Sequence, residues 1–457
     1  MLNGDVKKEL TAIVGVERFF DAPEVLACYA YDAFVEEALP EAVIFPLTTE
    51  EVAAVMRIAC RAKVPVTARG AGTSVCGGPV PVRQGIVLCF TKMNRILAVN
   101  TRDRYAVVQP GVINGDLQKA LAPHGFFFPP DPGSMNFSTI GGNVAMNAGG
   151  PRCLKYGVTA DYVMGMQVVL ASGKVVRFGS KNIKDVTGYN LGALFCGSEG
   201  TLGLVTEVTL KVVPKPETVQ TLLVTFDQLD NTAKAVSDIV GSGILPVSME
   251  LMDKMTVNAI EDSMRLGLPR EAEGTLLIEV DGTKEACDRE CRQIVERVLA
   301  HGAVTVEEAE TEADRNRLWA GRRAAYGVFA KIAPDIVSED VTVPVSKVPE
   351  MIRRIFEITD RYRLKAGVLA HAGDGNMHPL VCADRTNRDE WDRVEEAFAE
   401  IFAAAAALEG TLSGEHGIGL AKSQFLPLVM DEDSRDFMTL IKNAVDPGNI
   451  LNPGKFV

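Results

Sequence analysis

The sequence has no cysteine cluster, and this excludes several kinds of redox and metal centre. Its nine cysteines are scattered singly along 457 residues, with no C-x-x-C pair among them. An iron–sulfur cluster or a structural zinc site needs closely spaced thiolates, so neither is expected in this chain. An odd number of cysteines without a disulfide framework also predicts reduced thiols in a cytoplasmic protein.

Long hydrophobic runs and an excess of basic charge are missing as well. The longest apolar run covers residues 401–408, whereas a membrane-spanning helix needs roughly 20 residues. The opening MLNGDVKKEL contains no apolar signal core. With 47 basic and 60 acidic residues and a net charge of −13, the chain is poorly suited to nucleic acid or anionic membrane. An anionic substrate would therefore need a local cation or a metal ion.

The composition of the chain is that of a folded globular protein. Apolar residues make up 47% of it and charged residues 23%, and the length corresponds to roughly three domains. Residues 42–69 predict a strand, a helix and a strand. After KPET at 215–218, strand-like runs alternate with helical patterns, and we expect a second sheet with helices on one face. The helical patterns cover residues 284–300, 311–331 and 388–409.

Glycine is concentrated in three clusters, at residues 69–78, 130–150 and 184–203. Glycine presents successive N–H groups and lets a ligand approach closely, so a strand that ends in such a loop is typical of phosphate binding. The first loop is not a dinucleotide fingerprint, because Val75 stands where the third glycine would be. Each loop alone is also compatible with a structural turn, but three clusters together favour a cofactor site.

These motifs, with the end of the chain, resemble a known family. The order RGAGTS, PPDPGS, TIGGNVAMNAGG, YNLGALFCGSEGTLG and NPGK is similar to that of the FAD-binding vanillyl-alcohol-oxidase-type flavoproteins. Within that group the chain resembles most the FAD-binding subunit of glycolate oxidase and the FAD-linked D-lactate dehydrogenases. The resemblance implies an α+β fold: a two-lobed FAD-binding domain over residues 1–215, an α+β cap (substrate) domain with a metal site over 216–427, and a segment over 428–457 that returns to the FAD.

The resemblance also implies which residues hold FAD, with the loop from Arg69 to Ser74 at the pyrophosphate. Some relatives attach flavin through a histidine in this loop, where Gly72 and Thr73 stand here, so we expect non-covalent FAD. The implied cofactor-binding residues are Arg69, Gly70, Ala71, Gly72, Thr73, Ser74, Pro132, Gly133, Ser134, Thr139, Gly141, Gly142, Asn143, Gly197, Glu199, Gly200, Gly203 and Asn452.

Three of the five histidines lie in two compact motifs, HAGDGNMH at 371–378 and SGEHGIG at 413–419. Two histidines and a glutamate form a three-ligand set with open positions, as in catalytic Zn²⁺, Mn²⁺ or Fe²⁺ sites. Glu415 and His416 are adjacent, so one can bind metal while the other faces substrate. The alternative is that these histidines are hydrogen-bonded core residues or neighbours of the flavin.

By the resemblance, His371, His378 and Glu415 are metal ligands and His416 is the catalytic base. The family pattern W-x-x-R also points to Arg322, whose planar fork of donors suits a substrate carboxylate. An ordinary surface arginine is the alternative, and we expect neighbouring Arg323 to reach solvent or a surface acid. By the same resemblance, relatives specialised for 2-hydroxyglutarate carry additional polar and basic groups after the helical pattern that contains Arg322. Residues 337–340 are acidic instead, which favours a small monocarboxylate.

The implied function is an FAD-dependent dehydrogenase that oxidises a small D-2-hydroxy acid, D-lactate or glycolate, to the 2-oxo acid. We expect the electrons to pass to an iron–sulfur subunit, an electron-transfer flavoprotein or a quinone rather than to NAD. The alternatives are a D-2-hydroxyglutarate-type dehydrogenase, an oxidase that uses O₂, a same-fold transferase resembling alkylglycerone-phosphate synthase, and a non-catalytic electron-transfer flavoprotein subunit.

Overall fold

The structure is a computed structural model that describes residues 2–456 and divides into two compact units. The first unit comprises Met1–Gly149, Val158–Lys215 and Glu415–Val457, and the second comprises Gly150–Gly157 and Pro216–Gly414. The domain ranges 1–215, 216–427 and 428–457 stay a prediction. Among residues 2–456, the helices are all too short or too polar to cross a membrane.

Helices occur in both units, and the three long helical patterns of the sequence are confirmed as α10, α11 and α13. Helix α11 begins with a capping box, in which the Thr311 hydroxyl accepts from the Asp314 backbone and the Asp314 carboxylate accepts in return. The α-helices are α1 Gly4–Val14, α2 Pro23–Ala27, α3 Thr49–Ala62, α4 Asn114–Leu121, α5 Ile140–Met146, α6 Cys153–Tyr156, α7 Leu191–Phe195, α8 Leu229–Gly241, α9 Lys254–Met264, α10 Lys284–Ala300, α11 Glu312–Phe329, α12 Val348–Arg361, α13 Arg388–Ala407 and α14 Glu432–Val445. Short 3₁₀ helices cover Val16–Arg18, Phe90–Lys92, Ala122–His124, Thr159–Tyr162, Val345–Lys347 and Ser423–Leu428.

The first unit contains three sheets. Their strands are β1 Phe19–Phe20, β2 Ala42–Ile44, β3 Val66–Arg69, β4 Ile86–Cys89, β5 Ile96–Asn100, β6 Tyr105–Val108, β7 Phe126–Phe127, β8 Val163–Val169, β9 Val175–Gly179, β10 Leu204–Lys211 and β11 Val213–Pro214. One sheet has the order β1-β2-β4-β3, with β4 parallel to both β2 and β3. The second is antiparallel with the order β5-β6-β10-β8-β9, and β7 pairs with β11. The predicted strand, helix and strand over residues 42–69 are confirmed as β2, α3 and β3.

The C-terminal segment of the first unit returns to β3. The Val66 backbone donates to Ile450 and accepts from Asn452, at 2.7 and 2.9 Å. The buried Lys442 ammonium donates to the Thr201 carbonyl at 2.8 Å and to the Asp446 carboxylate at 2.6 Å. Asn452 is thereby fixed beside the strand that leads into the first glycine loop.

The second unit is built on one eight-stranded antiparallel sheet. Its strands are β12 Thr218–Phe226, β13 Ser248–Asp253, β14 Gly274–Gly282, β15 Ala303–Glu308, β16 Asp335–Ser338, β17 Val341–Thr342, β18 Lys365–His371 and β19 Asn376–Ala383. The order is β15-β12-β14-β13-β18-β19-β16, and β17 pairs with β19. In this order β13 lies in the centre, next to the hairpin of β18 and β19.

Both faces of this sheet carry helices, so the expectation of helices on one face was wrong. Successive strand residues point to opposite faces, yet Leu222, Leu223 and Val224 are all buried. Leu223 belongs to the apolar cluster with α9 and α11, whereas α8, α10 and α12 also pack on the sheet. Strands that are buried on both sides are nearly continuous apolar runs. Such a run does not by itself show whether helices cover one face of the sheet or both.

Candidate active site

The first predicted FAD loop begins where β3 ends at Arg69. The buried Arg69 guanidinium donates to the Tyr31 carbonyl at 2.6 Å and lies over the Tyr29 ring at 5.5 Å. A Cβ atom at Gly70 would lie 2.2 Å from the Thr139 hydroxyl, and one at Gly72 would lie 2.2 Å from the Arg69 guanidinium. The loop backbone therefore packs too closely for side chains at these two glycines.

The first and third predicted FAD segments meet through Asn452, and the second contacts the first through Thr139, beside Gly70. Its side-chain nitrogen donates to the Gly78 carbonyl at 3.0 Å and to the Glu199 carbonyl at 2.7 Å. Thr139 caps helix α5 by accepting from the Gly142 backbone at 3.2 Å. The predicted loops and the C-terminal asparagine are thus brought together within the first unit.

Three buried polar atoms beside these loops fit a bound cofactor. Asn143 Nδ2, Asn452 Oδ1 and Ser138 Oγ have no hydrogen-bond partner among the described residues. Buried polar groups are normally hydrogen-bonded, because leaving one unsatisfied costs free energy. FAD carries many donors and acceptors, so the set fits the cofactor that the sequence predicts.

The other predicted FAD residues lie on loops of the same unit or, for Gly141, in helix α5, and their roles stay predictions. Pro132, Gly133 and Ser134 form a turn, in which the Met135 backbone donates to the Pro132 carbonyl at 2.7 Å. The Ser74 hydroxyl accepts from the Cys76 backbone at 3.3 Å. The remaining members of this set are Ala71, Thr73, Gly141, Gly197, Gly200 and Gly203.

Glu199 is buried, and its carboxylate binds the backbone just after the predicted base. Oε1 accepts from the Ile418 N–H at 2.8 Å and Oε2 accepts from the Gly419 N–H at 2.9 Å. Burial raises the pKa of Glu199 to about 7, against the opposing effect of these two N–H groups. A Cβ atom at Gly417 would lie 2.3 Å from the Met146 methyl group. His416 therefore precedes a segment that is anchored on the FAD-loop region of its own unit.

His371 and His378 lie on neighbouring strands of the second unit, β18 and β19. Both side chains are buried, and their ring centroids are 5.2 Å apart with the ring planes at 88°. A ring nitrogen of one lies within 4.8 Å of a ring nitrogen of the other. The hairpin thus brings together two of the three predicted metal ligands.

A buried carboxylate, Glu250 on β13, contacts both His371 and Arg322, and we call these three residues the Glu250 cluster. His371 Nδ1 lies 2.9 Å from each oxygen of Glu250, and Arg322 Nε donates to Oε2 at 2.6 Å. Burial by itself raises the pKa of Glu250. The neighbouring Arg322 and His371 have the larger, opposite effect, so the pKa lies below its usual value. The carboxylate is therefore ionised.

The Glu250 cluster resembles the hydrogen-bonded groups that surround a metal-binding histidine. Metal-binding histidines usually donate their second ring N–H to a carboxylate, a backbone carbonyl or water, which fixes the tautomer and the ring orientation. His371 uses Nδ1 for Glu250, so Nε2 is the nitrogen that would bind a cation. The residues present therefore fit a divalent metal ion held by His371 and His378.

Of the two neighbouring arginines, Arg322 is buried and Arg323 is exposed. Arg322 Nη2 lies 3.4 Å from His371 Nδ1, so the predicted carboxylate-binding cation and a predicted metal ligand are adjacent. The Arg323 guanidinium lies 5.9 Å from the centre of the Trp319 ring. Arg322 is therefore not an ordinary surface arginine.

Glu415, the third predicted ligand, follows a glycine that is fixed in the second unit. The Gly414 N–H donates to the Asp340 carboxylate at 2.6 Å, and the Ser413 hydroxyl donates to it at 2.9 Å. A Cβ atom at Gly414 would lie 2.4 Å from the Asn376 amide, so no larger residue fits. The role of Glu415 as a ligand stays a prediction.

Most of the chain matches known protein families. Residues 215–456 match the family described as FAD linked oxidases, C-terminal domain, and residues 40–179 match the FAD binding domain. The chain belongs to the FAD-linked oxidases. The prediction of FAD as the cofactor is confirmed, as is the assignment to an oxidoreductase family.

Individual relatives agree with this assignment. The glycolate oxidase subunit GlcD of Bacillus subtilis (strain 168) is 45% identical over 456 residues, which cover 100% of this chain and 97% of the relative. A D-lactate dehydrogenase of Anaerostipes hadrus is 36% identical over 454 residues, covering 97% and 95%. The structure of 4-ethylphenol oxidase from Gulosibacter chungangensis has a TM-score of 0.81 at 21% identity, covering 99% and 96%, and supports the fold. The resemblance and the fold class are confirmed.

Sequence reasoning missed Glu250 altogether and treated Asp340 only as part of an acidic stretch. Both carboxylates are fully buried. The available signal was a single acid inside the apolar run VSMELM at residues 247–252. Acidic residues are almost never fully buried without a partner, so such an acid indicates a buried ion pair or a site.

Proposed function

We propose that this FAD-linked oxidoreductase oxidises a small D-2-hydroxy acid, D-lactate or glycolate, to the 2-oxo acid. The observation that carries the proposal is that Arg322 and His371 both contact the Glu250 carboxylate. A 2-hydroxy acid has its carboxylate and hydroxyl on neighbouring carbons, so a cation and a metal ligand that lie side by side would suit its two groups. Relatives named glycolate oxidase subunit and D-lactate dehydrogenase support this substrate class.

In this proposal the chain's own residues bind the acid and move one proton. Glu250 contacts Nε and Nη2 of Arg322, so Nη1 is the nitrogen that would bind the substrate carboxylate. His371, His378 and Glu415 would hold a Zn²⁺, Mn²⁺ or Fe²⁺ ion, and His416 would take the proton of the 2-hydroxyl. A bound metal ion would supply acidification of that hydroxyl, and non-covalently bound FAD would supply the acceptor for the hydride of C2.

The two electrons are proposed to leave to another molecule: an iron–sulfur subunit, an electron-transfer flavoprotein or a quinone. Two relatives that match this chain are named as subunits of glycolate oxidase, which supports a protein acceptor. None of the nine cysteines forms a disulfide within residues 2–456, and none belongs there to a group that could hold a metal ion.

Anaerobic titration of the FAD-loaded protein, with its metal content measured, tests the proposal. D-lactate, L-lactate and glycolate are added separately while the visible flavin absorption is followed. We expect D-lactate and glycolate to bleach the flavin and L-lactate to leave it oxidised. Arg322→Lys, which removes the guanidinium and with it Nη1, should raise the KM for D-lactate, whereas Arg323→Lys serves as the matched control on the exposed side.

Bleaching by none of the three acids, with FAD and metal both bound, would overturn the small-acid proposal. Larger D-2-hydroxy acids, D-2-hydroxyglutarate first, would then be titrated in the same way. If these also failed, assays for the same-fold transferase reaction and for a purely electron-transferring flavoprotein would follow. Bleaching by L-lactate as readily as by D-lactate would contradict the proposed stereochemistry alone.

A further inference from the structure

Glu250 lies at the centre of the sheet in the second unit. All six residues of β13 are buried, and the Glu250 side chain is 0% exposed. Glu250 and His371 are paired across β13 and β18, so their side chains project from the same face. Arg322 reaches this face from α11, and three elements therefore converge on one carboxylate.

The tautomer of His371 follows from comparing two distances. Nδ1 lies 2.9 Å from each Glu250 oxygen but 3.4 Å from Arg322 Nη2. Arginine is always a donor, so its contact would require Nδ1 to accept, whereas the carboxylate requires Nδ1 to donate. The shorter, charge-assisted bond to the carboxylate is the stronger one. His371 therefore carries its proton on Nδ1 and offers the lone pair of Nε2.

We propose that Glu250 is a positioning residue that orients His371 for metal binding and Arg322 for the substrate carboxylate at the same time. This inference rests on the proposed function, since it assigns a role to a residue beside that site. One rigid carboxylate sets the directions of both side chains, because its oxygens bind Nδ1 of the histidine and Nε of the arginine. Neither side chain can turn without breaking a bond to the same group.

The experiment compares Glu250→Gln with Glu279→Gln in the full-length, FAD-loaded protein. Glu279 is a matched control, because it is a buried glutamate on the neighbouring strand β14. Its carboxylate accepts from Nε1 of Trp319 at 2.8 Å, and Trp319 lies on α11 one turn before Arg322. The Zn²⁺ dissociation constant is measured by competition with a chromophoric chelator. The visible spectrum of the Co²⁺-loaded protein reports the ligand geometry, and FAD content and thermal unfolding report the fold.

We expect Glu250→Gln to weaken Zn²⁺ binding by roughly 10–100-fold, as for other partners of metal-binding histidines, and to alter the Co²⁺ spectrum. Glu279→Gln should leave both unchanged. If Glu250→Gln does not fold, Glu250→Asp is measured instead. This variant keeps the buried charge but moves the carboxylate back by one methylene, so its Zn²⁺ affinity should also fall. Wild-type Zn²⁺ affinity in the folded Glu250 variant would overturn the proposal.

The failure of this inference and that of the proposed function are distinguishable. If the wild type bound no Zn²⁺ or Co²⁺ but D-lactate still bleached the flavin, the role of Glu250 would be overturned and the substrate proposal would stand. If Glu250→Gln lost metal affinity as expected but no 2-hydroxy acid bleached the wild-type flavin, the positioning role would be supported and the substrate proposal would fall.

Discussion

At the scale of single residues, buried carboxylates fix the segments that carry the predicted catalytic groups. Glu199 binds two backbone N–H groups just after His416, and Asp340 binds the backbone just before Glu415. Glu250 binds His371 and Arg322. Each carboxylate accepts hydrogen bonds from neighbouring donors, because a buried polar group without partners is unfavourable. Replacing these acids is therefore expected to change geometry as well as charge.

His416→Ala tests the proposed base directly. General-base catalysis contributes about 10²–10⁴-fold, so we expect D-lactate-dependent flavin reduction to slow by this factor while FAD remains bound. The rate is measured by anaerobic stopped-flow absorbance. His124→Ala is the control, because His124 is an exposed residue at the end of a short 3₁₀ helix. A wild-type rate in His416→Ala would show that another group takes the proton.

Glu199 is expected to make the protein less stable as the pH rises from about 4.5 to about 7. Burial raises its pKa to about 7 in the folded protein, from an ordinary value of 4.5. Between these values the folded state binds a proton that the unfolded state has lost, so the free energy of unfolding falls with pH and levels off above about 7. Glu199→Gln cannot ionise, and its unfolding free energy should depend less on pH.

Urea unfolding of the wild type and Glu199→Gln at pH 5, 6 and 7 measures this difference. The gap between the two free energies of unfolding should change across the series, with the wild type losing more stability than the variant. Parallel pH profiles would contradict a raised pKa at Glu199. Glu207→Gln, a substitution of a glutamate on β10 of the same unit, is the control for general effects of removing one acid.

At the scale of elements, local patterns predicted helices α3, α10, α11 and α13 but only part of the sheet of the second unit. Helices α10 and α13 have apolar residues at helical spacing, which sequence alone reveals. Strand β13 is buried on both sides, so its residues show no alternation that would indicate which face holds Glu250. Strand order and helix placement depend on contacts distant in sequence, and no local period encodes them.

The turn between β18 and β19 is expected to tolerate only glycine at residue 375. Gly375 has a φ of 86°, and a Cβ atom there would lie 2.0 Å from the Val343 carbonyl oxygen. Gly375→Ala should lower the free energy of unfolding by about 1–3 kcal/mol or more from backbone strain. Because the hairpin carries both His371 and His378, Zn²⁺ affinity should fall as well. Urea unfolding and chelator competition measure the two effects.

Gly327→Ala is the matched control for the hairpin variant. Gly327 lies within helix α11, and a Cβ atom there would meet no heavy atom within 4 Å. Alanine is preferred over glycine inside a helix by roughly 1 kcal/mol, so this variant should be as stable as the wild type or more so. Equal stability of Gly375→Ala and Gly327→Ala would contradict the role assigned to the turn.

At the scale of the whole molecule, the family was predictable from motifs but the contacts between motifs were not. The predicted FAD residues occur in a recognisable order, whereas the bond from Asn452 to Gly78 spans 374 positions of sequence. The bond from Asn452 to Glu199 spans 253. No periodicity or spacing relates residues so far apart. The resemblance named Asn452 as a cofactor residue, and only the structure shows which backbone carbonyls it binds.

At the same scale, the chain must pass the electrons of its reduced flavin to an acceptor. A two-electron oxidation of substrate leaves the flavin reduced, and the described residues 2–456 offer no cysteine-containing metal group to carry electrons onward. We therefore expect turnover to require an added acceptor. After anaerobic reduction by D-lactate, the flavin should be reoxidised rapidly by 2,6-dichlorophenolindophenol, and air alone should produce little peroxide. One peroxide formed per 2-oxo acid in air, at the rate seen with the dye, would identify an oxidase instead.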